Sequence, residues 1–527
     1  MKNKKSLWIN LVILVAIIVF VNLISIPIFT RLDLSKGKIY SLSKASKNAA
    51  KNLEDRLIVK AYFSKNLPGE FADARRFTQD LLSEYQAYSR GKLRFEFIDP
   101  KDEESLKEEA RKNNITPATM RVNENDQLVI REVYLGLAFL YQDKTEAIPL
   151  IQNTQGLEYD ITSTIKKITA IGLKKVAIFS LEEEIPPQYP GMPPQNDNFK
   201  QIRQMISDSY EVIKTDLTSE IESSVDALVF TGIKDSLAQT QLYNLDQYIM
   251  KGGNVLFFQD RISADLQTQK AEPIKSNLFD LFRNYGINIK TNLVADANCG
   301  HVSVQRQQGF FKINTPIKYP FFPIIHNVNK ENLIVKNLDQ MQLIFASEID
   351  TTRMKDGLSF EPLLYSSKNS GEITGPRLDI SVMQYMNQNL KSMFIDEPKV
   401  VAGIYSGLFK SYFADNPEFP DASLESSDAK ILLVTDSEFV EDVGGAGIKG
   451  NLDFVLNAVD YMASDASLIE IRSRETEYKP LKEISNHAKK IIKWINILLP
   501  AILLILIGII LYRRELGKRK MIGELYE

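Results

Sequence analysis

The chain has 527 residues, with 64 Lys and Arg against 67 Asp and Glu, 44% apolar content and a single cysteine. That length exceeds one ordinary domain, and the composition excludes a disordered chain, a collagen-like fibre and a protein built mainly of membrane-spanning helices. One cysteine excludes an intramolecular disulfide framework, a Cys-rich zinc site and a CxxC redox centre, and a formal net charge of −3 offers no basic excess to attract nucleic acid.

The two ends differ from the middle. No residue from Ser6 to Thr30 is charged, and Leu7–Phe29 would make a helix about 34 Å long, enough to cross a bilayer core of about 30 Å. Lys2, Lys4 and Lys5 precede it, which places the N-terminus in the cytoplasm. A cleavable signal peptide shares the basic start and the apolar run, but this run exceeds the usual h-region and no small-x-small site precedes Arg31. A second charge-free stretch, Trp494–Tyr512, would be about 28 Å long as a helix. Lys489, Lys490 and Lys493 lie before it, and Arg513, Arg514, Lys518, Arg519 and Lys520 lie after it. The expectation is a transmembrane helix at 7–29, another at 494–512, a cytoplasmic tail at 513–527, and a body outside the cytoplasm with the lipid bilayer as a partner. Residues 1–5 and 513–527 hold eight of the 64 basic residues and three of the 67 acidic ones, so the stretch between them carries a net −8.

The middle reads as two α/β regions. Over 31–171, strand LIVKAYF (57–63), helix EFADARRFTQDLLSEYQAYS (70–89), strand KLRFEFIDP (92–100), a charged helix, ATMRV, the long β stretch QLVIREVYLGLAFLYQ and helix LEYDITSTIKKITAI (157–171) follow one another. The order βαβαββα predicts a thioredoxin-like domain, with Pro117 before the third strand where that fold often has a cis-proline. No CxxC precedes Glu70, so such a domain is redox-silent. Over 172–475, KKVAIFS, VDALVFTG, NVLFFQD and AKILLVTDSEFV alternate with amphipathic helices, which predicts a doubly wound parallel sheet. Short β-like runs between about 299 and 390 read as a β-rich insertion, and the strand at 429–440 is expected to pair with the earlier strands and close the domain.

Open α/β sheets bind ligands beyond the carboxyl ends of their strands. Those ends carry Ser180 with Glu182, Thr231 with Gly232, Asp260, and Asp436 with Ser437. They are the candidate ligand or partner site, although short polar residues also end strands simply to cap the helices that follow. Catalytic and metal sites find little support. Nucleophilic hydrolysis needs a Ser or Cys with a His base, and the chain has only His301, His326 and His487, with no GxSxG around any serine. Cys299 beside His301 is a sequence neighbour rather than a catalytic pair, and Asp296, Asn298 and His301 read as a surface loop rather than a metal site.

Taken together, RLDLSKGKIYSLSKAS after the first apolar stretch, FIDP, YLGLAFLYQDKTEAIPLI before LEYDITSTI, DALVFTG before LDQYIMKGGNVLFFQD, and VTDSEF before NLDFVLNAVDYMA resemble the GldG family, the auxiliary component of an ABC-type transport system associated with bacterial gliding motility. The resemblance implies a non-enzymatic accessory, substrate-binding subunit. It would sit in the bacterial inner membrane, without a cofactor, beside an ABC permease and a cytoplasmic ATPase. No GxxxxGK[ST] occurs, so the chain is not the ATPase itself. A scaffold that binds no small molecule, or a hydrolase or glutaminase-like enzyme, are the competing readings.

Overall fold

The computed structural model describes residues 41–463, apart from 180–197 and several short breaks, and only scattered positions beyond that range. The expected transmembrane stretches 7–29 and 494–512 lie almost wholly outside the described residues. Among the described residues, no helix is long and apolar enough to cross a membrane. The chain is mixed α/β.

In the N-terminal region α1 (Lys44–Lys51) starts on Ser43, whose Oγ accepts a hydrogen bond from Ser46 N at 3.0 Å. Then come β1 (Leu57–Phe63), α2 (Ala72–Tyr88), β2 (Leu93–Ile98), α3 (Glu104–Lys112), β3 (Ala118–Glu124), β4 (Gln127–Val133), β5 (Leu135–Tyr141), β6 (Lys144–Ile148) and α4 (Leu157–Thr169). Four strands form a sheet in the order β2-β1-β5-β6, with β1 parallel to β2 and antiparallel to β5. Alternation in β1 buries Leu57, Val59, Ala61 and Phe63 in a core with Leu82 and Tyr85 of α2 and Ile161, Ile165 and Ile168 of α4.

Two details depart from the sequence expectation. ATMRV is not the third strand of this sheet, because β3 pairs with β4 in a separate hairpin. The long β stretch breaks at Tyr134, whose N donates to Ser64 Oγ at 3.0 Å while Ser64 N donates to Tyr134 O at 3.0 Å. No cis peptide occurs among the described residues, so Pro117 is trans and merely leads into the hairpin.

The second region contains β7 (Lys175–Phe179), α5 (Lys200–Ser207), β8 (Glu211–Thr215), β9 (Val225–Thr231), α6 (Gln239–Met250), β10 (Asn254–Phe258), β11 (Ile262–Asp265), β12 (Lys270–Pro273), α7 (Leu278–Asn284) and β13 (Asn292–Asp296). It continues with β14 (Cys299–Gln308), β15 (Phe311–Ile325), β16 (Asn327–Val328), β17 (Met341–Gln342), β18 (Leu358–Tyr365), β19 (Ser370–Thr374), β20 (Leu378–Asp379), β21 (Val400–Gly407), β22 (Ala429–Val434) and α8 (Lys449–Met462). Its main sheet has eight strands in the order β16-β18-β21-β22-β10-β9-β7-β8. The strand β22, distant in sequence, lies parallel to β10 with Val255 opposite Ile431. The sheet is mixed rather than wholly parallel: β21 runs antiparallel to β22, and β18 and β16 continue antiparallel beyond it. The segment read as an insertion thus also supplies two strands of the main sheet. Pro362 and the register breaks around it in β18 blur the alternation that would have announced this.

Each central strand is apolar on both sides. Val176, Val229, Leu256 and Leu432 face α5 and α8, where Ile202, Ile206, Phe454, Val455 and Val459 lie. Ala177, Leu228, Phe257 and Leu433 face α6 and α7, where Leu242, Leu245, Leu278 and Phe282 lie. On this second face Phe179, Phe230, Phe257 and Phe282 form a chain of ring contacts at 4.3, 5.1 and 4.9 Å.

One buried carboxylate ties α6 to elements far along the chain. Asp246 Oδ1 accepts from Tyr285 OH at 2.7 Å and Tyr412 N at 2.9 Å, and its Oδ2 accepts from Ser411 Oγ at 2.7 Å. Asp246→Ala leaves those buried donors unpaired and is expected to cost about 3 kcal/mol, whereas Tyr285→Phe removes one hydrogen bond for about 1 kcal/mol. Thermal unfolding of the full chain checks this, and equal midpoints for the two variants would contradict it.

Candidate functional site

The polar groups of the main sheet collect at the carboxyl ends of β9, β10 and β22. Thr231 ends β9, and its Oγ1 donates to Phe179 O at 2.6 Å, tying β9 to β7. Gly232 follows, and its N donates to Phe258 O at 2.7 Å. A Cβ at Gly232 would sit 2.8 Å from that carbonyl oxygen and 2.9 Å from Ser437 Cβ, so only glycine lets the strand ends approach this closely. Beyond β10, Gln259 Nε2 donates to Ile233 O at 2.8 Å and its Oε1 accepts from Ile233 N at 2.9 Å. Asp260 Oδ1 accepts from Ser437 N at 2.9 Å, and Ser437 Oγ donates to Asp260 Oδ2. Asp436 Oδ2 accepts from Ile344 N at 2.5 Å and its Oδ1 from Phe439 N at 3.1 Å.

Five of the sequence-predicted residues therefore stand at one end of the sheet, and Asp260, Asp436, Ser437 and Gly232 adjoin one another. Ser180 and Glu182 lie outside the described residues. Asp260 and Asp436 are buried, and their carboxyl groups accept from the protein's own main chain and from Ser437.

Three further side chains, not singled out from the sequence, complete the cluster. Glu438 and Glu441, both part-exposed, follow Asp436 in the loop before α8, and the exposed Lys234 follows Gly232. Burial, then the nearby charges of Asp260 and Glu441, push the Glu438 carboxyl up to about 8. Burial and Asp260 also raise Glu441, against the opposing pull of Lys234 and of Asn198, whose Nδ2 donates to Glu441 Oε2 at 2.6 Å. Burial and Asp260 hold Asp436 well above the usual carboxylate range, and burial raises Asp260 despite the hydrogen bonds from Ser437. The crowding of carboxyl groups in a place water reaches poorly is the shared cause. The next residue, Asp442, accepts from Lys200 N and Gln201 N at 3.0 Å each, and so caps α5 from far along the chain. The acidic run SEFVED directly after a buried strand was the available signal for Glu438 and Glu441.

This arrangement can accept hydrogen bonds and exchange protons near neutral pH. Elsewhere, Cys299 is buried, and burial pushes its thiol up to about 11, while His301 is exposed. Asp296 accepts from Ser367 N, Ser367 Oγ and Asn298 N at 2.6 to 2.7 Å, which makes it a loop anchor. A separate cleft of about 450 Å³ is lined by Lys290, Asp350, Arg353 and Glu372 among others. Its charges are largely matched within the fold, Lys290 to Glu348 at 3.0 Å and Glu372 to Asn292 Nδ2 at 2.5 Å.

A family model described as an ABC-type uncharacterized transport system matches residues 173–458, which include the strand-end cluster. A second, described as a domain of unknown function, matches residues 36–140. A relative from Borreliella burgdorferi described as an uncharacterized protein is 25% identical over 530 residues, spanning 98% of this chain and 99% of its own. Among solved structures, the mmIFT52 N-terminal domain is similar at 11% identity and a TM-score of 0.31, over 55% of this chain and 97% of that one. The exo-β-1,4-mannosidase Op5Man5 from Opitutaceae bacterium strain TAV5 is similar at 11% identity and a TM-score of 0.22, over 60% and 38%. Likenesses this loose do not bear on fold or function.

The raised Glu438 has a definite sign. The folded form holds the proton more tightly than the unfolded chain, so the stability it contributes is full below about pH 4.5 and is lost as pH climbs through about 8. Glu438→Gln removes that loss, and its thermal midpoint is expected to gain on wild type between about pH 5 and about pH 8.5. Melting curves that stay parallel over this range would contradict the assignment.

Proposed function

This chain belongs to the ABC-type uncharacterized transport system family, and from that premise we propose that it is the membrane-anchored, extracytoplasmic accessory subunit of a bacterial ABC transporter. The observation that carries the reading is the family match across the main α/β region. The charge-free stretches Leu7–Phe29 and Trp494–Tyr512, each beside basic residues, support two inner-membrane anchors with both termini in the cytoplasm. Two helices cannot enclose a transport path, and the chain has no nucleotide-binding GxxxxGK[ST], so a permease and a cytoplasmic ATPase are the partners this role requires. The sequence blocks that resemble the GldG family support a link to gliding motility. In this reading the N-terminal sheet is a redox-silent, thioredoxin-like module that serves binding or packing.

The strand-end cluster is the place where such a subunit would receive a polar ligand or a loop of its transporter, through the part-exposed carboxyls of Glu438 and Glu441. A second reading, a coupling scaffold that binds no small molecule, is favoured by one observation: Asp260 and Asp436 spend their oxygens on Ser437 and on main-chain N–H groups.

Purification of the full chain in mild detergent is expected to bring along a permease and an ATPase, and their repeated absence would remove the transporter role. A reporter active only outside the cytoplasm, fused in the loop before β14, is expected to give signal. One active only inside is expected to work after Glu527, and the reverse pattern would overturn the topology.

A further inference from the structure

The ribbon made by β14 and β15 is not explained by the main sheet or by the strand-end cluster. From Ala297 to Lys330 the chain has no Asp or Glu, yet it carries Arg306, Lys312, Lys318 and Lys330, within a stretch between the two termini whose net charge is −8. The strands pair in register from His301 opposite Lys318 to Gln308 opposite Phe311. Opposed residues in an antiparallel pair share a face, and here the two faces differ. On one, Val302, Val304 and Ile317 join a core with Leu293, Tyr319 and Phe321. On the other, His301, Ser303, Gln305 and Gln307 stand beside Lys318, Asn314 and Lys312, and all seven are exposed. Among the described residues, neither Lys312 nor Lys318 makes an ion pair.

The ribbon also has an open side. In its sheet the order is β14-β15-β17, so β14 is an edge strand among the described residues, and β15 meets β17 only at Ile324 and Ile325. An edge strand presents a row of unpaired N–H and C=O groups, and proteins commonly cover or blunt such a row. Here the edge carries neither a proline nor a bulge between His301 and Gln308. Strand addition supplies main-chain hydrogen bonds to an extended segment, and side chains beside the edge select its charge.

We infer that the β14 edge, with Lys312 and Lys318 beside it, is a docking surface for an extended acidic segment of a partner protein. Charge complementarity selects that occupant: the ribbon carries Arg306, Lys312 and Lys318 and no Asp or Glu, and the body that carries it is acidic and repels such a segment elsewhere.

The test titrates the full chain in neutral detergent with two fluorescent peptides of alternating sequence, Glu-Val repeats and Lys-Val repeats. The Glu-Val peptide is expected to bind, to weaken as salt rises from about 50 to about 200 mM, and to slow amide exchange along β14. The double variant Lys312→Glu with Lys318→Glu is expected to bind it about tenfold more weakly, and the milder Lys312→Gln to weaken it less while melting like wild type. Equal binding of the two peptides, undiminished binding by the double variant, or unchanged exchange in β14 would overturn the inference. Uptake by anionic phospholipid vesicles without binding of the Glu-Val peptide would also overturn it, and would assign the ribbon to a lipid surface instead.

Discussion

Burial of the central strands on both faces is the constraint from which the rest of the structure follows. Strands β7, β9, β10 and β22 place apolar side chains alternately against α5 and α8 on one side and α6 and α7 on the other. With no polar face available, the polar residues of these strands are pushed to their ends. There they meet backbone groups that need partners and neighbours of like charge. The carboxyls of Asp260, Asp436, Glu438 and Glu441 are held protonated more firmly than in water because the covered sheet withholds solvent from them. The polar cluster is thus a product of the same packing that stabilises the sheet.

The cluster also joins distant parts of the chain. Asp260 follows β10 and binds Ser437, which follows β22, while Asp436 holds Ile344 of the β-rich segment. Asn451 of α8 accepts from Gln342 N at 3.0 Å and donates to Phe439 O at 2.9 Å, so the same loop is fixed from the helix side. Asp442, in the same loop, caps α5 by accepting from Lys200 N and Gln201 N. A site so closely tied to the main chain suits a part that transmits a change of position as well as one that receives a ligand. Both roles fit an accessory component of a transport system.

Much of the fold could be read from residue patterns. Strands such as VDALVF and NVLFF are continuous apolar runs because both faces are covered, and the helices between them keep an amphipathic period. The site was legible in part, since Asp260, Asp436 and Ser437 follow such strands directly. Glu438 and Glu441 are not legible in the same way, because an acidic run normally reads as a solvated face and nothing local shows that a sheet end and α8 will enclose it. The split of the long β stretch at Tyr134 was hidden for a similar reason: the exchange of hydrogen bonds with Ser64 joins residues far apart in the chain.

The sequence by itself determined which segments become strands and helices, where charge is absent or single-signed, and which chemistries lack their residues, because these depend on local periodicity and composition. Only the tertiary structure decided that β18 and β16 extend the main sheet, that Asp260 and Asp436 turn inward to the main chain, and that the lysines of the β14–β15 ribbon stand on one exposed face. Those outcomes rest on hydrogen bonds and desolvation between residues far apart in sequence, whose energies exist only once the chain has brought them together.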